Sequence, residues 1–360
     1  MCNNCNLNID TERTDEFGQK LLEIVNHSSL SLMMSIGHRS RLFDIMSEME
    51  HASSNEIAEQ AGLNERYVRE WLGAMVTGSI IEYDPVLKTY FLPAEHAALL
   101  TRSAGSNNFA TTMQWFSVLG SVEDKIVDCF QAGGGVPYSE FARFHEVMSE
   151  ESYNSVVSGL FEHILPLVLG LEEKLKLGID VLDIGCGSGL ALIEMAAAFP
   201  KSRFMGYDIS EESIGRATQS AAQRGVSNVS FKIQDVSQMN ATDRFDLVTA
   251  FDVIHDQANP ALVLSEVNAA LRKGGTFLMQ DIAASSNVEQ NIDSPLGPMF
   301  YTISTMHCMT VSLAQGGAGL GTCWGKELAC QMLSEAGFQD VDVQELPHDI
   351  MNYFYVMTKT

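Results

Sequence analysis

At 360 residues the chain is too long for one ordinary domain, and its 46% hydrophobic and 19% charged composition suits a globular protein with sizeable cores. A formal net charge of -24, with no run of Lys or Arg to offset it, repels phosphate backbones and anionic membranes, so neither nucleic acid nor membrane is an expected partner. No apolar stretch of about 18 residues occurs, and MCNNCNLNID lacks the basic and apolar regions of a leader, which predicts a cytoplasmic location.

Residues 1–16 read as a disordered tail whose Cys2 and Cys5 form an isolated CxxC. A metal site needs further ligands close by, so no metal is expected, and the seven scattered cysteines read as free thiols. Helical periodicity then runs over residues 17–50, with Leu21, Leu22, Val25, Leu32, Met33 and Ile36 on one side. In SSNEIAEQAGLNERYVREWLGAMV, Ser53 or Ser54 caps a helix through Ala61, Gly62 turns the chain, and Asn64 caps a second helix through Val76. Residues 80–83 and 89–92, split by Asp84 and Pro85, read as the strands of a small wing. Residues 17–100 therefore predict a winged-helix-like domain. A DNA-reading role fares badly, because Glu65 and Glu70 cancel Arg66 and Arg69 on the second helix and the acidic surface supplies no phosphate neutralisation. The preferred reading is a dimerisation module that also walls a substrate cavity. A twofold homodimer follows, since the apolar faces of residues 17–50 exceed what the wing can cover.

Residues 101–170 read as a helical connector and substrate cap, broken at the GGGVP of residues 133–137. Beyond the break Phe144, Met148 and Ser152 recur every four residues on one helix face, a spacing that ordinary core packing also produces. Trp115 is a candidate for lining the substrate cavity.

Residues 171–360 alternate strands and helices. DVLDI, RFMGYDI, VSFKIQD, FDLVTAF and GTFLMQDI are successive strands, which predicts an α/β fold: a doubly wound, mostly parallel Rossmann-like sheet with its ligand beyond the strands' C-terminal ends. After the first strand, Gly185-Cys186-Gly187-Ser188-Gly189 allows a backbone turn to lie against a ligand and opens a helix N-terminus. Asp208 ends the second strand, where a carboxylate can accept both hydroxyls of a ribose. Asp235 ends the third, where its carboxylate can accept an adenine amino group. A nicotinamide dinucleotide is the runner-up ligand, but in the G-x-G-x-x-G/A fingerprint the last place here holds Leu190.

The pattern D-I-G-C-G-S-G resembles motif I of class I S-adenosylmethionine (AdoMet) methyltransferases. The closing strands DVDVQEL and NYFYVMTK resemble the antiparallel hairpin with which that family ends its sheet, its last strand antiparallel. The resemblance implies an AdoMet-dependent enzyme whose cofactor residues are Asp183, Gly185, Gly187, Gly189, Asp208, Ile209, Asp235, Val236 and Phe251. With its helix-turn-helix front and helical middle, the chain is also similar to small-molecule O-methyltransferases, and to a bacterial and animal family of winged-helix AdoMet methyltransferases. RFHEVMSEES is similar to the segment in which O-methyltransferases place a Phe, a Met and a Ser. By that likeness Met148 and Ser152 face the cofactor and Phe144 the substrate.

Those O-methyltransferases carry K-W-x-x-H-D-W after the fourth strand, where the His takes a phenol proton. In FDVIHDQ, His255 and Asp256 match while Gln257 replaces the Trp, which weakens the case for a flat aromatic substrate. His255 is thus the candidate general base, against the alternative that it only orients its loop, and a base role predicts a rate rising through a pKa near about 6.5. An insertion at residues 284–325 should hold a helix with Phe300, Ser304, His307 and Val311 on one face. Its glycine-rich end is either a mobile lid or an irregular connection, and Tyr301, His307 and Trp324 are candidate substrate contacts. O-methylation of a small molecule is favoured, with N and S acceptors open. An AdoMet-binding regulator that reads DNA and an NAD(P)-dependent oxidoreductase are the alternatives.

Overall fold

The computed structural model describes residues 9–347 and 349–360, so Cys2 and Cys5 lie outside the described residues. The chain divides into two compact units, Met1–Ser117 and Val118–Thr360.

In the first unit Asp10 caps a long helix, Thr11–Arg39, by accepting the Arg13 N–H. The helix starts ahead of the apolar periodicity at residue 17 because the cap, not the pattern, sets its first turn. A short helix, Leu42–Ser47, follows. The helix Ser54–Ala61 opens on a full capping box between Ser53 and Glu56 and ends at Gly62, whose φ of 64° suits glycine. Asn64 then caps Glu65–Thr77. The wing is the antiparallel pair β1 (Glu82–Asp84) and β2 (Thr89–Phe91). Phe43, Ile57, Trp71, Leu72 and Met75 centre the core, and Trp71 Nε1 donates to the Met33 carbonyl at 2.9 Å. Outside that core Phe17, Leu21, Leu22, Ile24 and Val25 on the long helix stay exposed.

The second unit is built on seven strands: β3 (Asp180–Ile184), β4 (Arg203–Asp208), β5 (Val229–Ile233), β6 (Phe245–Phe251), β7 (Leu271–Ile282), β8 (Gln339–Leu346) and β9 (Asp349–Thr358). Their order across the sheet is β5-β4-β3-β6-β7-β9-β8, and β9 runs antiparallel to both neighbours. The inner strands β3 and β6 are buried on both faces, which explains their near-continuous apolar sequences. One core, around Val248, Phe277, Met279 and Phe338, fills one face; the other, around Leu160, Leu175, Leu192 and Phe354, fills the opposite face. Strand order reverses between β3 and β6, so the glycine loop after β3 sits at the topological switch point where open α/β sheets bind ligands. Among the described residues no helix is long and apolar enough to cross a membrane.

Candidate active site

All three glycines of the loop have left-handed backbones, with φ of 63°, 51° and 70° at Gly185, Gly187 and Gly189. A Cβ at Gly185 would meet Val253 at 2.5 Å and one at Gly189 would meet Phe231 at 2.5 Å, whereas one at Gly187 would stand in open space. The outer two glycines are therefore set by packing, and the middle one faces outward from the switch point. Beneath them Asp183 accepts the Thr249 hydroxyl at 2.6 Å. Burial pushes its carboxyl up to about 7, although the Thr249 hydrogen bond opposes that.

Asp208 is aimed by its neighbours' backbones. Its Oδ2 accepts the Gly187 N–H and its Oδ1 the Ser210 N–H, both at 2.8 Å, which leaves further lone pairs on each oxygen. Ile209 beside it is exposed. Asp235 caps a short turn through the Ser237 N–H and also accepts the Gln238 amide, while Val236 is buried and Phe251 half-buried.

The helix Phe144–Ser152 links this loop to the insertion. Its Ser149 hydroxyl lies 3.0 Å from that of Ser188 in the glycine loop, and His145 Nδ1 lies 3.4 Å from the Ser213 hydroxyl. Phe144 stacks on His307, with ring centroids 4.3 Å apart and planes 10° from parallel. Two residues singled out separately in the sequence thus form one aromatic pair, with Tyr138 edge-on to both. Met148 and Ser152 are half-buried on the same helix.

His255 is buried between two carboxylates. Its Nδ1 lies 2.7 Å from Asp281 Oδ1 and its Nε2 3.3 Å from Asp256 Oδ1. The same Asp281 oxygen accepts the Trp324 indole N–H at 3.0 Å, and Asp256 Oδ2 accepts the Tyr138 hydroxyl at 2.9 Å. Burial opposes a charged imidazole here, but Asp281 and Asp256 outweigh it and hold the His255 pKa well above its usual value. The expectation of a titration near 6.5 is corrected accordingly. His307, by contrast, is driven down to about 4 by burial and is neutral at pH 7.

His255, Asp256 and Cys308 bring three atoms of metal-ligand type within 4.8 Å of one another. Burial pushes the Cys308 thiol up to about 11, so it stays protonated near neutrality and is a poor metal ligand.

Trp324 supports Asp281, and Tyr301 is partly exposed with its hydroxyl accepting from Asn291 Nδ2 at 3.1 Å. Both therefore have structural partners. Trp115 belongs to the first unit and is buried. The glycine-rich end of the insertion is held in place: Ala318 N–H donates to the Ala258 carbonyl, Gly319 N–H to Ser312 Oγ, and Ser312 Oγ to the Gln257 carbonyl. Those bonds favour the irregular connection over a lid.

Known proteins agree with this architecture. Residues 28–102 match the Rv2258c-like winged HTH domain and residues 175–349 match a methyltransferase domain. The chain thus joins a winged-HTH domain to a methyltransferase domain. The chain is 30% identical over 204 residues to the sterol 24-C-methyltransferase of Aspergillus fumigatus, covering 55% of its own length and 50% of the relative's. It thus spans about half the length of the curated relatives it matches. Human N-acetylserotonin methyltransferase, solved with AdoMet, superposes with a TM-score of 0.69 at 16% identity, covering 95% of this chain and 97% of that one. Mitomycin 7-O-methyltransferase superposes with a TM-score of 0.70 at 13% identity, covering 97% and 100%. At such identities the likeness is one of fold.

The sequence reading missed Asp281, Asp252 and Tyr138. Each acquires its meaning from a partner 26 or more residues away, and no local pattern marks it.

Proposed function

We propose that the protein transfers the methyl group of AdoMet to a small-molecule acceptor, with oxygen the favoured nucleophile. The observation that carries this is the set of ligand-facing groups at adjacent strand ends: a glycine loop open at Gly187, Asp208 fixed beside it, and Asp235 one strand further on. These groups fit a nucleoside whose ribose and adenine need acceptors, and Leu190 stands where the dinucleotide fingerprint needs its last glycine or alanine. AdoMet supplies an already electrophilic methyl, so the chain's task is to hold the acceptor in line and take its proton. Positioning of that kind is worth roughly 7–11 kcal/mol.

The His255 dyad suits the proton step. Asp281 can only accept, so Nδ1 carries a hydrogen and Nε2 is the exchanging atom, facing Asp256. With two carboxylates stabilising the imidazolium, His255 keeps its proton to a higher pH than a free imidazole does. The rate should therefore rise through a pKa above that of a free imidazole. His255→Gln should lower single-turnover methyl transfer by roughly 10²–10⁴-fold and flatten the pH dependence, with cofactor affinity nearly intact. An unchanged single-turnover rate, or an unchanged profile, removes His255 from the reaction.

For the winged-helix unit the reading is a homodimer through the long first helix rather than a DNA reader. Arg66 and Arg69 are paired with Glu70 and Glu65 at 2.5 Å and 3.3 Å, so neither offers an uncompensated charge to phosphate.

A further inference from the structure

The GGGVP strap of residues 133–137 leads from the connector to the proton site. Gly133 and Gly134 are left-handed, with φ of 73° and 84°, and a Cβ at Gly135 would run into the Thr310 carbonyl and the Ala314 backbone nitrogen. The strap therefore lies flush on the helix Met309–Ala314, where the buried Val136 N–H donates to Thr310 Oγ1 at 2.8 Å. Pro137 ends it, and a single turn, Tyr138–Glu140, follows. Tyr138 is thereby delivered to Asp256, whose Oδ2 accepts its hydroxyl at 2.9 Å, while its ring stands edge-on to Phe144 and His307. Burial and the neighbouring Asp256 hold the phenol pKa well above its usual value, so Tyr138 stays a donor.

Several titratable groups face His255 from the surrounding elements. Burial holds Asp252, after β6, well above the carboxylate range and pushes the Cys308 and Cys323 thiols of the insertion up to about 11. It drives His307 down to about 4. Near neutrality these four are uncharged, which leaves the carboxylates of Asp281 and Asp256 to hold the imidazole's proton against burial. The two are held differently. Asp281 sits on β7 inside the sheet, and its Oδ1 accepts from both the Trp324 indole and the Ile282 N–H. Asp256 stands on the single turn Ile254–Asp256 with 12% of its side chain exposed. Its Oδ1 lies 3.3 Å from His255 Nε2 yet accepts no hydrogen bond among the described residues, and His307 Nδ1, at 3.9 Å from Oδ2, is too distant to bond it. The hydrogen bond that aims Asp256 is the one from Tyr138.

We propose that Tyr138 is a positioning residue for the proton step: its hydroxyl, delivered by the 133–137 strap, fixes Asp256 against His255 Nε2. The proposal rests on the reading of His255 as the base. The seating of the strap on residues 309–314 then sets how tightly the base holds its proton, and so the pH at which an acceptor loses one. Without the hydroxyl, Asp256 is free to turn toward solvent and take its charge off the imidazole. A hydroxyl that merely drew charge from a carboxylate already held by packing would act with the opposite sign. Its loss would leave the proton affinity of His255 unchanged or raise it.

NMR titration of the full-length protein with isotope-labelled histidine tests this without any acceptor, the His255 signal being the one that His255→Gln removes. Asp256→Asn sets the scale: loss of a carboxylate beside the imidazole should lower the His255 pKa by about 1–3 pH units. Tyr138→Phe keeps the ring against Phe144 and His307 and removes the hydroxyl alone. It should lower the His255 pKa by about half of that or more, with His307 still uncharged at neutrality. An unchanged or raised His255 pKa in Tyr138→Phe overturns the proposal, and so does an Asp256→Asn variant that leaves His255 where it was. A His307 that becomes charged near neutrality in Tyr138→Phe would show the ring stack lost, assign the shift to packing, and overturn it too. Failure of His255→Gln to slow methyl transfer would strike instead at the base reading, and the same titrations would still decide whether Tyr138 fixes Asp256.

Discussion

Asp183 carries a buried carboxyl beneath the ligand loop, and its pKa of about 7 has a consequence for stability. In the unfolded chain it ionises near the usual value of about 3.9. Between those values the unfolded state sheds a proton that the folded state keeps, so this residue's contribution is full below about pH 3.9 and is lost as pH rises through about 7. Asp183→Asn stays neutral throughout and can still accept the Thr249 hydroxyl. Relative to wild type it should gain about 2 kcal/mol between pH 5.5 and 8, read from denaturant midpoints. Parallel pH curves for the two proteins would refute the assignment. What the sequence reveals at this scale follows from where the partner sits. Asp208 and Asp235 were legible because a strand end after alternating apolar residues already implies their position. Asp281 was not, because its hydrogen bond to His255 joins residues that only the parallel crossover from β6 to β7 brings together.

Elements with local determinants were legible to within a residue or two. Ser53, Gly62 and Asn64 set the bounds of the two helices of the helix-turn-helix through caps that act within four residues. The strands β3 to β7 announce themselves by apolar runs. The insertion was only half legible: its helical stretch passes through a wide π turn at Ser304–Cys308, which shifts the face that carries His307 toward Phe144. The glycine run after it is fixed by bonds to Ala258 and Ser312, contacts with no trace in composition. The glycine loop yields a sharper prediction. Gly187→Ala meets nothing within 4 Å, so it should cost only the left-handed penalty of roughly 1–2 kcal/mol in stability while impairing S-adenosylhomocysteine binding. Gly185→Ala adds a clash with Val253 and should lose substantially more stability. Differential scanning calorimetry of the two variants checks the order, and equal losses would contradict the division of roles within the loop.

At the scale of the whole molecule, Phe17, Leu21, Leu22, Ile24 and Val25 form an apolar stretch on the first helix that its own unit leaves exposed. If a second copy covers it, light scattering should give twice the 39.5 kDa chain mass, and Leu21→Glu with Val25→Glu should return the monomer. A monomer mass for the wild type at micromolar concentration would count against that assembly. The central claim is independent of it: the switch point of the second unit is an AdoMet site gripped by Asp208. Calorimetric titration of S-adenosylhomocysteine into the wild type and Asp208→Ala tests this most directly. The account predicts saturable binding that the variant weakens by about 1–3 kcal/mol, the worth of a buried charged hydrogen bond. Unchanged affinity in a folded variant, or a wild type that binds NAD more tightly than S-adenosylhomocysteine, would contradict it.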